Sequence, residues 1–309
     1  KHNVYTKVPL SECWNRTGKK PIGVRWVDIN KGDTKQPKYR SRLVAKELKV
    51  DKRDDLFAAT PPMEAKKLLL SLALTEGYGY DRHQHKFSRD LDALKIDCID
   101  VKRAFFHAKC RREVYVDLCQ EDAENGMCGR LNMAMYGTRD APQNWEFEYG
   151  EFMEGIGFTK GKSTPCLFYH EARNLRTVVY GDDFTVLGAH HDLDWFRKRI
   201  KTRFEVEFKA RLGAQEGDDK SVFLLNRPID WTADGITYEA DQRHVEIILR
   251  DLDLKGKVNA TPIPYEKWTT EEIENPAPEL VGPAATLYRA VVARANYLSQ
   301  DRSDIRYAV

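Results

Sequence analysis

The chain lacks a net charge of either sign: 50 Lys and Arg stand against 48 Asp and Glu, leaving +2 over 309 residues. Bulk charge therefore gives no argument for a polyanionic partner, and any such argument must come from where the charges stand. No apolar run is long enough to cross a bilayer, and Lys1-His2-Asn3-Val4 opens no apolar signal region, so no membrane is expected among the partners. That start, and the end at Tyr307-Ala308-Val309, read as cuts from a longer polypeptide. The six cysteines (Cys13, Cys98, Cys110, Cys119, Cys128, Cys166) contain no Cys-x-x-Cys pair. His83-Gln84-His85 and His190-His191 have no Cys or Glu at ligand spacing. We expect a reducing compartment, no disulfide framework and no zinc site. Internal repeats and low-complexity tracts are also missing.

What is present is length for two lobes with separate cores, and charge gathered into stripes. Lys35, Lys38, Arg40, Arg42, Lys46, Lys49, Lys52 and Arg53 stand against only Glu47 and Asp51, and Arg197, Lys198, Arg199, Lys201 and Arg203 form a second block. Each is either a grip on a polyanion or a solvated face. Residues 22–29 and 39–46 read as a basic antiparallel hairpin turning at 30–33. Thr60-Pro61-Pro62 opens a helix, with Thr60 as cap, Ala65, Leu69, Leu72 and Ala73 on its buried stripe, and Gly77 as its stop. Strands are expected at 94–101, 113–118 and 221–225. Helices are expected after Pro142 (buried side Trp145, Tyr149, Phe152, Met153, Ile156), over Leu193 to Phe204, near 244–252 and over 285–298. From residue 230 the organisation changes to a small hairpin at Asp234-Gly235, a helix and a Pro-rich loop over 261–283. This divides the chain at 229/230.

Two features carry candidate chemistry. Val178 to Tyr180 and Asp183 to Leu187 are β-prone runs around Gly181-Asp182, a two-residue hairpin signal in which Gly supplies the positive φ of a type II′ turn. The tip carries two adjacent carboxylates, which make either a solvated acidic turn or half of a cation site. On the strand over 94–101, Leu94, Ile96, Cys98 and Asp100 share one face, so a carboxylate ends an apolar stripe. It needs a cation, a hydrogen-bond donor, or a role capping the next turn. Brought together, the three acids would suit Mg²⁺, and two such ions about 4 Å apart can drive an in-line phosphoryl displacement.

Four ordered blocks carry a resemblance: Asp100-Val101-Lys102-Arg103-Ala104-Phe105-Phe106, then Tyr136-Gly137, then Ala141-Pro142 with Trp145, then Tyr180-Gly181-Asp182-Asp183, flanked by Tyr39 to Lys46, Pro165-Cys166-Leu167-Phe168 and the text around Leu287-Tyr288-Arg289. The chain resembles the reverse transcriptase domain of a copia-type LTR retrotransposon polyprotein, from about Ile22 to its last residue. The resemblance implies an α+β right hand, with fingers and palm in 1–229 and a thumb-like lobe with the start of the connection region in 230–309. It implies an RNA-directed DNA polymerase that extends a primer on an RNA or DNA template with dNTPs, using two Mg²⁺ (or Mn²⁺) ions.

By position it makes Asp100, Asp182 and Asp183 the catalytic metal ligands with Val101 beside them, Asp182 the shared ligand and Asp183 the more replaceable one. Lys209 becomes the proton donor to pyrophosphate. Lys38, Arg40, Arg42, Phe105, Tyr136 and Gly137 form the nucleotide site, with Phe105 under the sugar. Tyr180, Gly181, Phe223, Leu224 and Leu225 meet primer and template. It further implies RNase H and integrase segments elsewhere in the polyprotein. Its implied location is the cytoplasm, within virus-like particles, with a nuclear stage for DNA integration. Departures from the family text (Thr138-Arg139-Asp140, Gly181, Cys119, Met133, Met135) bear on template handling more than on metal binding. The competing reading is a weak or inactive remnant that only binds nucleic acid. A palm-type nucleotide cyclase is disfavoured by the basic hairpin and thumb-like lobe.

Overall fold

A computed structural model of the chain describes residues 2–48, 56–75, 80–81, 86–87, 94–254, 256, 269–275 and 277–309. Lys49, Asp51, Lys52, Arg53, Gly77, His83-Gln84-His85 and, within the Pro-rich loop, 261–268 and 276 lie outside the described residues. Two compact units are present, Lys1–Arg211 and Leu212–Val309.

The first unit opens with β1 (Tyr5–Pro9) and α1 (Leu10–Thr17), neither expected from the sequence, followed by the basic hairpin of β2 (Val24–Asn30) and β3 (Tyr39–Ala45), paired antiparallel as expected. Helix α2 (Met63–Ala73) is shorter than its pattern suggested. It starts with Pro62 at the N-cap and no side-chain cap, so Thr60 does not cap it, and its last helical residue is Ala73. Two-residue strands β4 (Tyr80–Asp81) and β5 (Lys86–Phe87) pair with each other. Then come β6 (Lys95–Val101), β7 (Tyr115–Val116), β8 (Met127–Leu131), α3 (Ala141–Gly155), β9 (Thr159–Lys160), β10 (Leu167–His170), β11 (Leu175–Tyr180), β12 (Asp183–Gly188), α4 (His190–Arg203) and β13 (Val206–Leu212). The strand expected over 113–118 contracts to β7, whose other edge pairs with Ile22 through a parallel bridge, Asp117 N donating to Ile22 O at 2.9 Å.

The organising element is a six-stranded sheet in the order β13-β6-β12-β11-β10-β9. Strand β6 is buried along almost its whole length, its charged residues Lys95 and Asp97 included. On one face, Ile99, Val101, Val179, Phe184 and Val186 pack against Trp145, Tyr149 and Met153 of α3 and Leu193, Phe196 and Ile200 of α4. Those helical residues recur at three- and four-residue spacing, so each helix presents one apolar stripe. Helix α2 lies along β6, β11 and β12. By the period of two, the row Tyr180–Asp183–Asp100 stands on the face opposite to Val179, Phe184 and Ile99. A smaller sheet, β1-β8-β7, completes the unit.

The second unit holds the antiparallel sheet of β14 (Ser221–Leu224), β15 (Arg227–Trp231) and β16 (Ile236–Tyr238), then α5 (Gln242–Asp251), α6 (Thr270–Glu274) and α7 (Gly282–Ser299), α5 packing on α7. The boundary expected at 229/230 would cut through β15, whose pairing with β14 holds residues 221–224 in this unit. At its centre the Arg227 and Asp301 side chains, each 1% exposed, pair at 2.7 Å, and Tyr297 Oη accepts from the same guanidinium at 2.8 Å. Leu225 is not a strand residue. Leu225 and Asn226 have φ of 52° and 60° and form the two-residue turn between β14 and β15, a left-handed conformation that a leucine rarely adopts.

Candidate active site

The expected acidic hairpin is present. Gly181 and Asp182 form the two-residue turn between β11 and β12, Gly181 at φ +61° and Asp182 outside the positive-φ set, as a type II′ turn requires. Gly181 is needed for that backbone angle, since a Cβ there would meet nothing within 4 Å. Two bonds fix the turn from within the unit: Trp145 Nε1 donates to Gly181 O at 2.7 Å, and Val101 N donates to Asp182 O at 2.8 Å. From the opposite side the buried Lys66 ammonium lies 5.2 Å from the Tyr180 ring centre. Trp145 was read in the sequence as a core residue, and Lys66, in the middle of an apolar helix stripe, gave no signal of this contact.

The antiparallel register sets Asp183 directly opposite Asp100. The two carboxylates therefore share a face at cross-strand distance, an arrangement that destabilises a sheet by about 0.2–1 kcal/mol unless compensated. Lys209, on the neighbouring strand β13, compensates it: its Nζ is 2.7 Å from Asp183 Oδ1 and 2.9 Å from Asp100 Oδ1. Burial opposes the lysine's charge, but hydrogen bonds to Asp183 and Asp100 outweigh it and hold its pKa above the ordinary value. Asp182 is shifted upward, first by burial and then by the charges of Asp100 and Asp183, against a hydrogen bond from its own backbone N–H. The sequence predicted all four residues but only the structure places the ammonium between two of the acids.

Among the described residues no three His, Cys, Asp or Glu side chains already stand around a common point as metal ligands. The donor set nonetheless fits a hard divalent cation: three acids at one sheet end, one of them shifted upward by its neighbours, and a cation already bridging the other two. Val101 is fully buried, and its N–H is spent on Asp182.

A cleft of about 480 Å³ opens beside Asp100, with Arg40, Arg42, Tyr136, Phe106, Lys102 and Arg103 among its walls. The Arg42 guanidinium stands 5.4 Å from the Tyr136 ring centre, and Phe105 and Phe106 lie 4.8 and 5.5 Å from the same ring. Phe106 lines the cleft, whereas Phe105 packs against the core cluster beside it. Gly137, at φ +89°, lets strand β3 approach: a Cβ would stand 2.0 Å from Ala45 O, and Ala45 N donates to Tyr136 O at 2.8 Å. Lys38 stands apart from the cleft, exposed at the hairpin loop with its backbone N–H on Asn30 Oδ1 at 2.8 Å. Lys102 and Arg103, which sequence reasoning left without a role, pair with Glu207 and Glu205 at 3.2 and 3.1 Å. Phe223, 70% exposed, and the buried Leu224 belong to the second unit.

The second basic block is partly taken up by contacts within the fold, while Lys198 and Arg199 stand exposed. Arg197 pairs with buried Asp97, Arg203 with Glu148, and Lys201 lies over Phe208. Likewise the departures at Thr138 to Asp140 are absorbed structurally: Thr138 Oγ1 donates to Met135 O, Arg139 N to Glu47, and Asp140 is bound by Arg112 at 2.8 Å.

The family model for reverse transcriptase (RNA-dependent DNA polymerase) matches residues 3–261. A curated relative, the retrovirus-related Pol polyprotein from transposon TNT 1-94 of Nicotiana tabacum, is 29% identical over 204 residues, 62% of this chain and 14% of its own length. Those from transposons RE2 and RE1 of Arabidopsis thaliana are each 26% identical over 93% of this chain and 18% of theirs. The chain thus spans less than a fifth of these relatives' length. Among solved structures, a foamy viral protease–reverse transcriptase in complex with double-stranded DNA aligns over 93% of this chain and 45% of its own, with TM-score 0.38 and 12% identity.

Proposed function

Because the chain belongs to the reverse transcriptase family, the RNA-dependent DNA polymerases, we propose that it extends a primer on an RNA or DNA template with dNTPs, as one segment of a retrotransposon Pol polyprotein that also carries RNase H and integrase. The single observation that supports this best is the register of β6 against β12, which sets Asp100 opposite Asp183 with Asp182 on the adjoining turn. These three acids are the residues that would hold divalent ions, Mg²⁺ or Mn²⁺. Bound there, two ions would supply activation of the primer 3′-hydroxyl and charge stabilisation of the leaving pyrophosphate.

The chain's own groups do the rest. Arg40 and Arg42, on the cleft wall beside Asp100, bind the triphosphate through charge-assisted bonds. The Phe105–Phe106–Tyr136 ring cluster forms the sugar-side wall, whose bulk excludes a 2′-hydroxyl. Lys209, in contact with Asp100 and Asp183, is placed to give a proton to pyrophosphate. Tyr180 and Gly181 present the hairpin to the primer end, and the exposed Phe223 with Leu224 and Leu225 offers a second nucleic-acid contact. We place the activity in cytoplasmic virus-like particles, with integration following in the nucleus.

The test is dNTP incorporation on poly(rA)·oligo(dT) with Mg²⁺, beside Asp100→Asn and Asp182→Asn proteins whose melting is unchanged. Loss of incorporation in both supports the proposal, and an Asn variant that still extends the primer sinks it. Salt-sensitive duplex binding by the parent chain, with no Mg²⁺-dependent incorporation, would establish the binding-only alternative instead.

A further inference from the structure

Lys209 does not hang near the acids as a loose surface lysine. Its side chain is only 33% exposed and its Nζ touches an oxygen of Asp100 and an oxygen of Asp183 at once, at 2.9 and 2.7 Å. It reaches them from β13, the strand on the other side of β6 from β12, so three adjacent strands each contribute one charge to the same place. The two carboxylates belong to directly paired residues, whose backbones cannot move apart without breaking the register. Any divalent ion that took these two oxygens would bind them at about 2.0–2.5 Å. An ammonium within 3 Å of the same atoms would then be a second cation almost in contact with the first. One set of oxygens cannot serve both.

Resting on the metal site assigned above, we propose that Lys209 is the resident counter-ion of that site. Its ammonium holds Asp100 and Asp183 in register while no metal is bound, and it is displaced when a divalent ion takes their oxygens. Metal affinity in the absence of nucleotide is therefore set by a competition inside the protein, not by the carboxylates alone. The displaced ammonium remains within a side chain's reach of the site, where the leaving phosphates would arrive. No bond forms or breaks in this step, which exchanges one cation for another.

The experiment measures Mn²⁺ binding by electron paramagnetic resonance, without nucleic acid or nucleotide, in the parent chain, Lys209→Met and Lys209→Arg. Lys209→Met should bind Mn²⁺ about tenfold more tightly, a free-energy change of about 1.4 kcal/mol, and melt at lower temperature in EDTA. Lys209→Arg, which keeps a cation on the oxygens, should stay near the parent. Equal or weaker Mn²⁺ binding by Lys209→Met overturns the inference; if Asp100→Asn abolishes binding in the same assay, the metal-site reading stands while the inference falls. If no protein binds Mn²⁺, both fall. Should the Met variant not fold, the parent decides: Mn²⁺ should speed reductive methylation of Lys209, read by peptide mass, and an unchanged rate overturns the inference.

Discussion

Replacing Asp97 by Asn tests how the sheet beneath the site is held. The Asp97 carboxylate is fully buried and takes forked pairs from two guanidiniums, Arg197 (2.7 and 2.8 Å) and Arg211 (2.7 and 2.9 Å). Breaking a buried pair by removing one partner costs about 3–5 kcal/mol, because the other charge is left in a poorly solvated place. Asn keeps an acceptor oxygen, and Arg197 is partly exposed, so the lower end, about 3 kcal/mol, is expected. For a unit of this size that lowers the melting temperature by roughly 6–12 °C. The assay is urea unfolding with a shared slope, beside Asp194→Asn as control. Asp194 pairs with the same Arg211 at the same 2.7 Å but is 46% exposed, so its loss should cost less than about 1 kcal/mol. If the two variants lose equal stability, burial is not what gives the Asp97 pairs their value, and the reasoning fails.

Two further outcomes follow from the structure. Gly137→Ala puts a Cβ at φ +89° and 2.0 Å from Ala45 O, so β3 must withdraw, at a cost of about 1–2 kcal/mol from the backbone angle alone. The KM for dNTP should rise more than kcat falls, measured by single-nucleotide saturation. Asp140 is pushed up by burial but pulled further down by Arg112 and Asn144, to a net value below the ordinary one. A depressed carboxyl contributes stability that is present above the unfolded pKa near 3.9 and lost as pH falls through the folded one. Asp140→Asn should therefore flatten the acid limb of a stability–pH curve below about pH 4, and an unchanged acid limb would remove Asp140 as its cause.

How much of this was legible in the sequence depended on whether the signal was local. The Gly181-Asp182 turn, the β2–β3 hairpin and the α3 stripe of Trp145, Tyr149 and Met153 were readable because turn chemistry and periodicity need no partner. Strand β13 was missed although Val206, Phe208 and Ala210 alternate with Glu207, Lys209 and Arg211. Two cations and an acid in that run looked like surface, and only the tertiary partners, Asp100 and Asp183 for Lys209 and the buried Asp97 for Arg211, show what the two cations meet. The second basic block was ambiguous in the sequence for the same reason. Helix α4 contributes Arg197 and Arg203 to acids about 100 and 55 residues away in sequence, and no local pattern distinguishes a spent arginine from a free one. Phe105 and Phe106 are adjacent, so pattern alone could not say which would face the cleft.

Strand β6 carries two acids three residues apart, and their surroundings separate their roles. Asp97 takes four bonds from two guanidiniums, one of which also pairs with Asp194, so its charge is met in full within the fold. Asp100 shares the single ammonium of Lys209 with Asp183, while Asp182 adds a third acid whose pKa is already driven up by burial and by both neighbours. A buried acid whose charge is met in full belongs to the fold. An under-compensated cluster costs stability and persists where a cation is needed. The spacing of two charges on one strand does not tell them apart; the balance of charge around each does.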